Sequence, residues 1–180
     1  MTDPAPAAPL PDDKDWTWTL IRPCPECGFN ASDSEPAEFA SLIEELAERF
    51  RHRLDSPDAH VRPGPTTWSP IEYGQHLADV CEVMRLRLNA IRQADGEVAG
   101  FGEWSGDAAA LEKGYWRADS HATSVLLRER AETAASAFAE LEDNQWGWPG
   151  RRTDGVDFTA ETLGRYLLHE LAHHVHDVGA

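Results

Sequence analysis

The sequence predicts an all-α protein: a four-helix bundle with a long crossover between helices 2 and 3, preceded by an extended N-terminal arm that carries a Cys-x-x-Cys knuckle. Three observations predict it. Four segments of about 20 residues each repeat apolar side chains at helical spacing. Sharp start signals precede two of them, Ser69-Pro70 and Thr159. A long polar stretch, 94–119, separates the second segment from the third. Such bundles build metal sites inside, from side chains on facing helices. The organisation read from this is an arm over residues 1–33 with the Cys24/Cys27 knuckle, and a bundle over 34–180.

The elements follow in order. Residues 1–14, rich in Pro, Ala and Asp, form a flexible arm. Asp15–Arg22 (DWTWTLIR) is expected as a short strand or an extended segment laid on the body. Pro23–Phe29 is a tight turn set by proline and glycine. The first helix starts near Ser34 or Glu35, with Pro36 in its first turn, and presents Phe39, Leu42, Ile43, Leu46 and Phe50 on one face. After a proline-bearing loop, Ser69 caps the second helix, whose stripe is Tyr73, Leu77, Val80, Met84, Leu88 and Ile91, with His76 at its flank. Within the long connection a turn or two of helix is expected around Ala108–Lys113. The third helix runs from His121 to Leu141 with Ser120 as its cap, and Thr159 caps the fourth after a loop with Trp146, Trp148 and Pro149.

Composition narrows the functional classes. The chain has 180 residues, 32 of them acidic and 16 basic, for a formal charge of −16. That surface repels nucleic acid and anionic membrane, so neither is an expected partner; a small-molecule substrate is. There is no run of 18 apolar residues and no secretion-type leader, so a cytoplasmic location is expected. Three cysteines, Cys24, Cys27 and Cys81, do not make a disulfide scaffold. Cys81 lies on the second helix and suits a buried apolar position. His52, His60 and His121 have no evident partners and are expected at the surface.

The chemistry concentrates in the last helix. Of the eight histidines, four are His169, His173, His174 and His176. Residues four apart share a helix face, so His169/His173 and Glu170/His174 are each able to grip one ion. The same string, His169 to His173, is also HExxH, the pattern of zinc hydrolases. At about 100° per residue, the apolar residues Leu163, Leu167, Leu171, Val175 and Val178 gather on one side. His174 falls close to that side and Glu170 at its edge, while His169, His173 and His176 fall opposite. Glu170 and His174 therefore turn toward the bundle, where His76 is the natural third ligand. Two imidazole nitrogens and one carboxylate suit a divalent metal with open positions, zinc first, with nickel, iron or manganese as alternatives. Asp79 and Asp177, each three residues after a proposed ligand, are either acceptors that orient those imidazoles or surface acids.

These stretches resemble a known family. Trp68-Ser69-Pro70-Ile71-Glu72-Tyr73-Gly74-Gln75-His76-Leu77 resembles the start of the second helix in DinB-like proteins, the superfamily that includes the mycothiol-dependent maleylpyruvate isomerases. Glu170-Leu171-Ala172-His173-His174-Val175-His176-Asp177-Val178 is similar to the ending of that isomerase branch. The resemblance implies a four-helix bundle with a divalent metal on His76, Glu170 and His174. It implies isomerase or S-transferase chemistry with a low-molecular-weight thiol, mycothiol or bacillithiol, as co-substrate, and it implies pairing as a homodimer. The competing class is a non-enzymatic, zinc-stabilised binding or stress-response module. An HExxH hydrolase is a third reading and needs His169 and His173 around one accessible ion.

The knuckle Cys24-Pro25-Glu26-Cys27-Gly28 lies outside the resembling region. A complete zinc site needs two more ligands, and His169/His173 has the spacing of the histidine half of a Cys₂His₂ site. A second, structural zinc on Cys24, Cys27, His169 and His173 would fasten the N-terminal segment to the outer face of the last helix. The alternatives are a free or redox-active Cys pair beside a merely polar helix face.

Overall fold

The structure is a computed structural model that describes residues 16–64 and 67–180. The expected flexible arm, 1–14, lies outside the described residues. The long helices are α1 (Phe39–Leu54), α2 (Pro70–Gln93), α4 (Ser120–Ala139) and α5 (Ala160–Asp177), with a shorter α3 (Gly106–Lys113) between α2 and α4. α4 and α5 each pack against both α1 and α2, so the bundle runs round as α1, α4, α2, α5. Its core is built from Phe39, Ile43, Phe50, Leu77, Leu88, Leu127, Phe138, Leu163 and Leu167, all essentially sealed from solvent.

Local chemistry sets the helix starts. The Ser69 hydroxyl caps α2 while the Glu72 carboxylate accepts from the Ser69 N–H at 3.0 Å, a reciprocal capping box with Pro70 at the first position. Thr159 caps α5 by accepting from the Thr162 N–H at 3.1 Å. α1 is entered through a 3₁₀ turn, Pro36–Glu38, capped by Glu35. The third long helix is capped by Asp119 rather than Ser120, one residue earlier than expected, and the Ser120 hydroxyl instead donates to the carbonyl of Leu54.

Two expectations need correction. Residues Trp16–Leu20 are a 3₁₀ turn, not a strand: the Thr19 hydroxyl donates to the Trp16 carbonyl at 2.7 Å and closes the chain on itself. The protein is also not purely helical. A small sheet joins β1 (Ala99–Phe101), β2 (Pro149–Arg152) and β3 (Asp157–Thr159) in that order. β1 runs parallel to β2 with Ala99 opposite Gly150, and β2 antiparallel to β3 with Gly150 opposite Phe158. The sheet ties the connection after α2 to the chain that enters α5.

Candidate metal centre

α5 carries two clusters on its two sides, and α2 contributes to the first. His76 is 9% exposed, on the flank of α2 that meets α5. Its Nε2 lies 3.5 Å from Glu170 Oε2, and His174 Nε2 lies 3.7 Å from the same oxygen. All three donor atoms fall within 4.8 Å of one another. Burial alone would raise the Glu170 pKa, but the neighbouring imidazoles of His76 and His174 outweigh it and hold the carboxyl at about 2. Burial pushes the His174 pKa down and favours the neutral ring, against the opposing effect of the hydrogen bond that its Nδ1–H donates to Asp177.

The surroundings fix these side chains. Asp177 Oδ2 lies 2.8 Å from His174 Nδ1, which sets that nitrogen as the protonated one and leaves Nε2 as a donor of its lone pair. Burial, together with the nearby Glu170 carboxylate, pushes the pKa of the Tyr166 phenol up. The His76 ring stacks on Trp104 at 5.5 Å between centroids and meets Trp68 at 5.4 Å. Tyr73 covers His174 at 4.6 Å. Gly106, at the start of α3, permits this fit, because a Cβ there would stand 2.7 Å from His76 Nδ1.

The second cluster lies on the other side of α5. Cys24, Cys27, His169 and His173 also bring their donor atoms within 4.8 Å of one another. The side of α5 expected to face outward is not solvent-exposed. His169 is 2% exposed and His173 7%, because residues 16–33 cover them with Trp16, Cys24 and Phe29. Glu170 and the two histidines of HExxH thus belong to different clusters. That arrangement speaks against a hydrolase in which Glu170 serves an ion held by His169 and His173. His176 is exposed and joins neither cluster.

Asp79 is neither a surface acid nor a partner of His76. It is buried and bonded to Lys113 (2.6 Å), to the Tyr115 hydroxyl and to Arg130. Tyr166 and Gly106 are site residues that the sequence alone did not single out, and Tyr73 was read only as part of the apolar stripe of α2. Tyr166 had a readable signal, since it stands four residues before Glu170 as Glu170 stands four before His174. Tyr73 had one as well, three residues before His76 on the same helix. Gly106 comes from the connection after α2, which helix spacing does not join to the site.

With the fold and the clusters described, the class is plain: a helical bundle with a His-Glu-His cluster between α2 and α5. The model of the DinB superfamily matches residues 42–178, and the chain belongs to that superfamily. Among solved structures, YfiT from Bacillus subtilis is similar, with a TM-score of 0.69 at 18% identity over 80% of this chain and 83% of that one. YfiT is described as a probable metal-dependent hydrolase with an unusual four-helix bundle topology. No curated protein matches the chain. No helix among the described residues is long and apolar enough to cross a membrane.

Proposed function

We propose that this protein is a divalent-metal-dependent enzyme that brings a low-molecular-weight thiol, such as mycothiol or bacillithiol, to attack a small electrophilic molecule. The observation that carries the reading is the convergence of His76 Nε2, Glu170 Oε2 and His174 Nε2. Their separations of 3.5 and 3.7 Å are too long for good hydrogen bonds. They are close to the roughly 3.3–3.5 Å between neighbouring donors on one tetrahedral cation. An ionised carboxylate and two imidazole nitrogens form the two-His, one-carboxylate set that zinc, iron, nickel or manganese accepts, so the residues fit the ion. Among the described residues no further Cys, His, Asp or Glu joins this group, which leaves room for a substrate.

When bound, such a cation supplies Lewis acidity that lowers the pKa of a thiol or water brought to it. The protein's own residues do the rest. Asp177 holds the His174 tautomer, and Trp68 and Trp104 clamp the His76 ring. The aromatic wall of Trp68, Tyr73 and Trp104 limits water around the centre and suits the apolar part of a small substrate.

A hydrolytic reading has one observation in its favour, the description of YfiT, and it differs only in using water where the first uses a thiol. The test is conjugation of a bimane electrophile in the presence of mycothiol, bacillithiol or neither. The expected result is thiol-dependent turnover that a chelator abolishes, that one divalent ion restores, and that His76→Ala and Glu170→Gln reduce by more than about 100-fold. Ester cleavage at equal rate with and without thiol, and no conjugation, would overturn the thiol reading in favour of hydrolysis.

A further inference from the structure

The buried cluster on the far side of α5 does not belong to the proposed active centre and needs its own explanation. His169 is 2% exposed, and neither of its ring nitrogens has a hydrogen-bond partner among the described residues. Buried imidazole nitrogens are rarely left without partners, because water would otherwise satisfy both. The ring lies among Trp16, Phe29 and His173. In the same cluster Cys24 Sγ lies 3.7 Å from His173 Nδ1, near the roughly 3.5 Å expected between sulfur and nitrogen on one tetrahedral zinc. Cys24 is 1% exposed, and Cys24 and Cys27 are free thiols rather than a disulfide.

The backbone around the cysteines has the form of a metal knuckle. The Gly28 N–H donates to the Cys24 carbonyl at 2.9 Å, and the Cys24 N–H to the Phe29 carbonyl at 2.8 Å. Gly28 takes φ +75°, a conformation that side-chain-bearing residues rarely adopt, and this turns the chain so that both sulfurs face α5. His173 turns Nδ1 to Cys24, while its Nε2 lies 3.7 Å from both a Glu26 and an Asp177 carboxylate oxygen, the usual outer partners of a metal-bound imidazole.

We propose that Cys24, Cys27, His169 and His173 form a closed, structural Cys₂His₂ zinc site that fastens residues 16–33 to α5, separate from the His76–Glu170–His174 centre. Four protein donors of this kind fill the tetrahedral shell of zinc and leave no position for a substrate. The site accounts for a buried histidine without hydrogen-bond partners among the described residues, and for a buried and a half-buried cysteine held side by side but unbonded. It also gives an N-terminal segment built only of turns a firm hold on the bundle. Asp177 lies between the two centres, with Oδ2 on His174 and Oδ1 toward His173.

The test is cobalt(II) substitution of the full chain, read by the sulfur-to-cobalt charge-transfer absorption, with zinc content measured alongside. The thiolate band is expected in the wild type and in His76→Ala, and it should disappear together with one zinc in Cys24→Ser. His169→Cys should retain the ion and strengthen the band by adding a third thiolate, an outcome that holds even if Cys24→Ser fails to fold. A folded wild type without the band, Cys24→Ser with undiminished zinc, or His169→Cys with an unchanged band would each overturn the site. None of these outcomes depends on whether the bundle centre is catalytic.

Discussion

Asp79 illustrates how a single buried carboxylate can join elements far apart in the chain. It sits on α2 at 5% exposure and holds Lys113 from α3, Tyr115 from the turn after it, and Arg130 from α4. Burial alone would raise its pKa, but the hydrogen bonds from Lys113, Tyr115 and Arg130 outweigh burial and hold it below the usual carboxylate range. Removing one partner of a buried pair costs about 3–5 kcal/mol. Lys113 is 49% exposed at its side chain and can return to water, so Asp79→Asn should cost about 2–3 kcal/mol at pH 7 in urea unfolding. The pH dependence has a definite sign. A carboxylate with a depressed folded pKa stabilises fully above its unfolded value, near 4, and loses that contribution as pH falls through the folded value. The gap between wild type and Asp79→Asn should therefore stay constant from about pH 5 to 7 and shrink below about pH 4. A gap that widens on acidification would show that Asp79 is not ionised in the folded protein.

At the scale of elements, the legible parts of the fold are those whose signals are local. Ser69, Pro70 and Glu72 lie within four consecutive residues, and each acts on the backbone beside it, so the start of α2 was readable. The partner of Glu72 was not. Arg62, ten residues upstream across the proline loop, places Nε 2.8 Å from Glu72 Oε2, at a side chain only 1% exposed as a residue. Ser69→Ala should cost about 1 kcal/mol as a lost cap. Glu72→Ala should cost about 3–5 kcal/mol, because it removes the box and takes the carboxylate from a largely buried guanidinium. In thermal unfolding, equal losses for the two would mean that the ion pair contributes nothing. The sheet escaped the sequence reading for a related reason. Strands of three or four residues, Ala-Gly-Phe, Pro-Gly-Arg-Arg and Asp-Phe-Thr, are too short to display a period, and their pairing joins segments about fifty residues apart. The Trp16–Leu20 segment misled in the opposite sense, since a period of two over five residues is also compatible with a tight turn. Both ligand-type spacings on α5 were readable from its wheel. What covers the His169/His173 side was not, because it depends on where residues 16–33 settle.

For the molecule as a whole, the charge of −16 bears on stability as well as on partners. Many arginines are held in specific pairs, among them Arg53 with Asp58, Arg85 with Glu82, Arg151 with Asp157 and Arg165 with Glu161. The excess of carboxylates is therefore left to repel one another over the surface. Exposed pairs of this kind contribute about 0–1 kcal/mol each, and salt weakens them. Self-repulsion among many like charges is screened by the same salt, with the Debye length falling from about 30 Å at 0.01 M to about 10 Å at 0.1 M. Most of the pairs span short distances that 0.1 M salt screens little, whereas the repulsion acts over longer ones that it screens strongly. Repulsion should thus be the larger loss on adding salt, and the metal-replete protein should become more stable between 0.01 and 0.3 M sodium chloride. The measurement is the melting temperature by calorimetry at pH 7, with an expected rise of a few degrees, on the order of 1 kcal/mol for a domain of this size. A fall in melting temperature would mean that the paired arginines, rather than the unpaired acids, dominate the surface electrostatics.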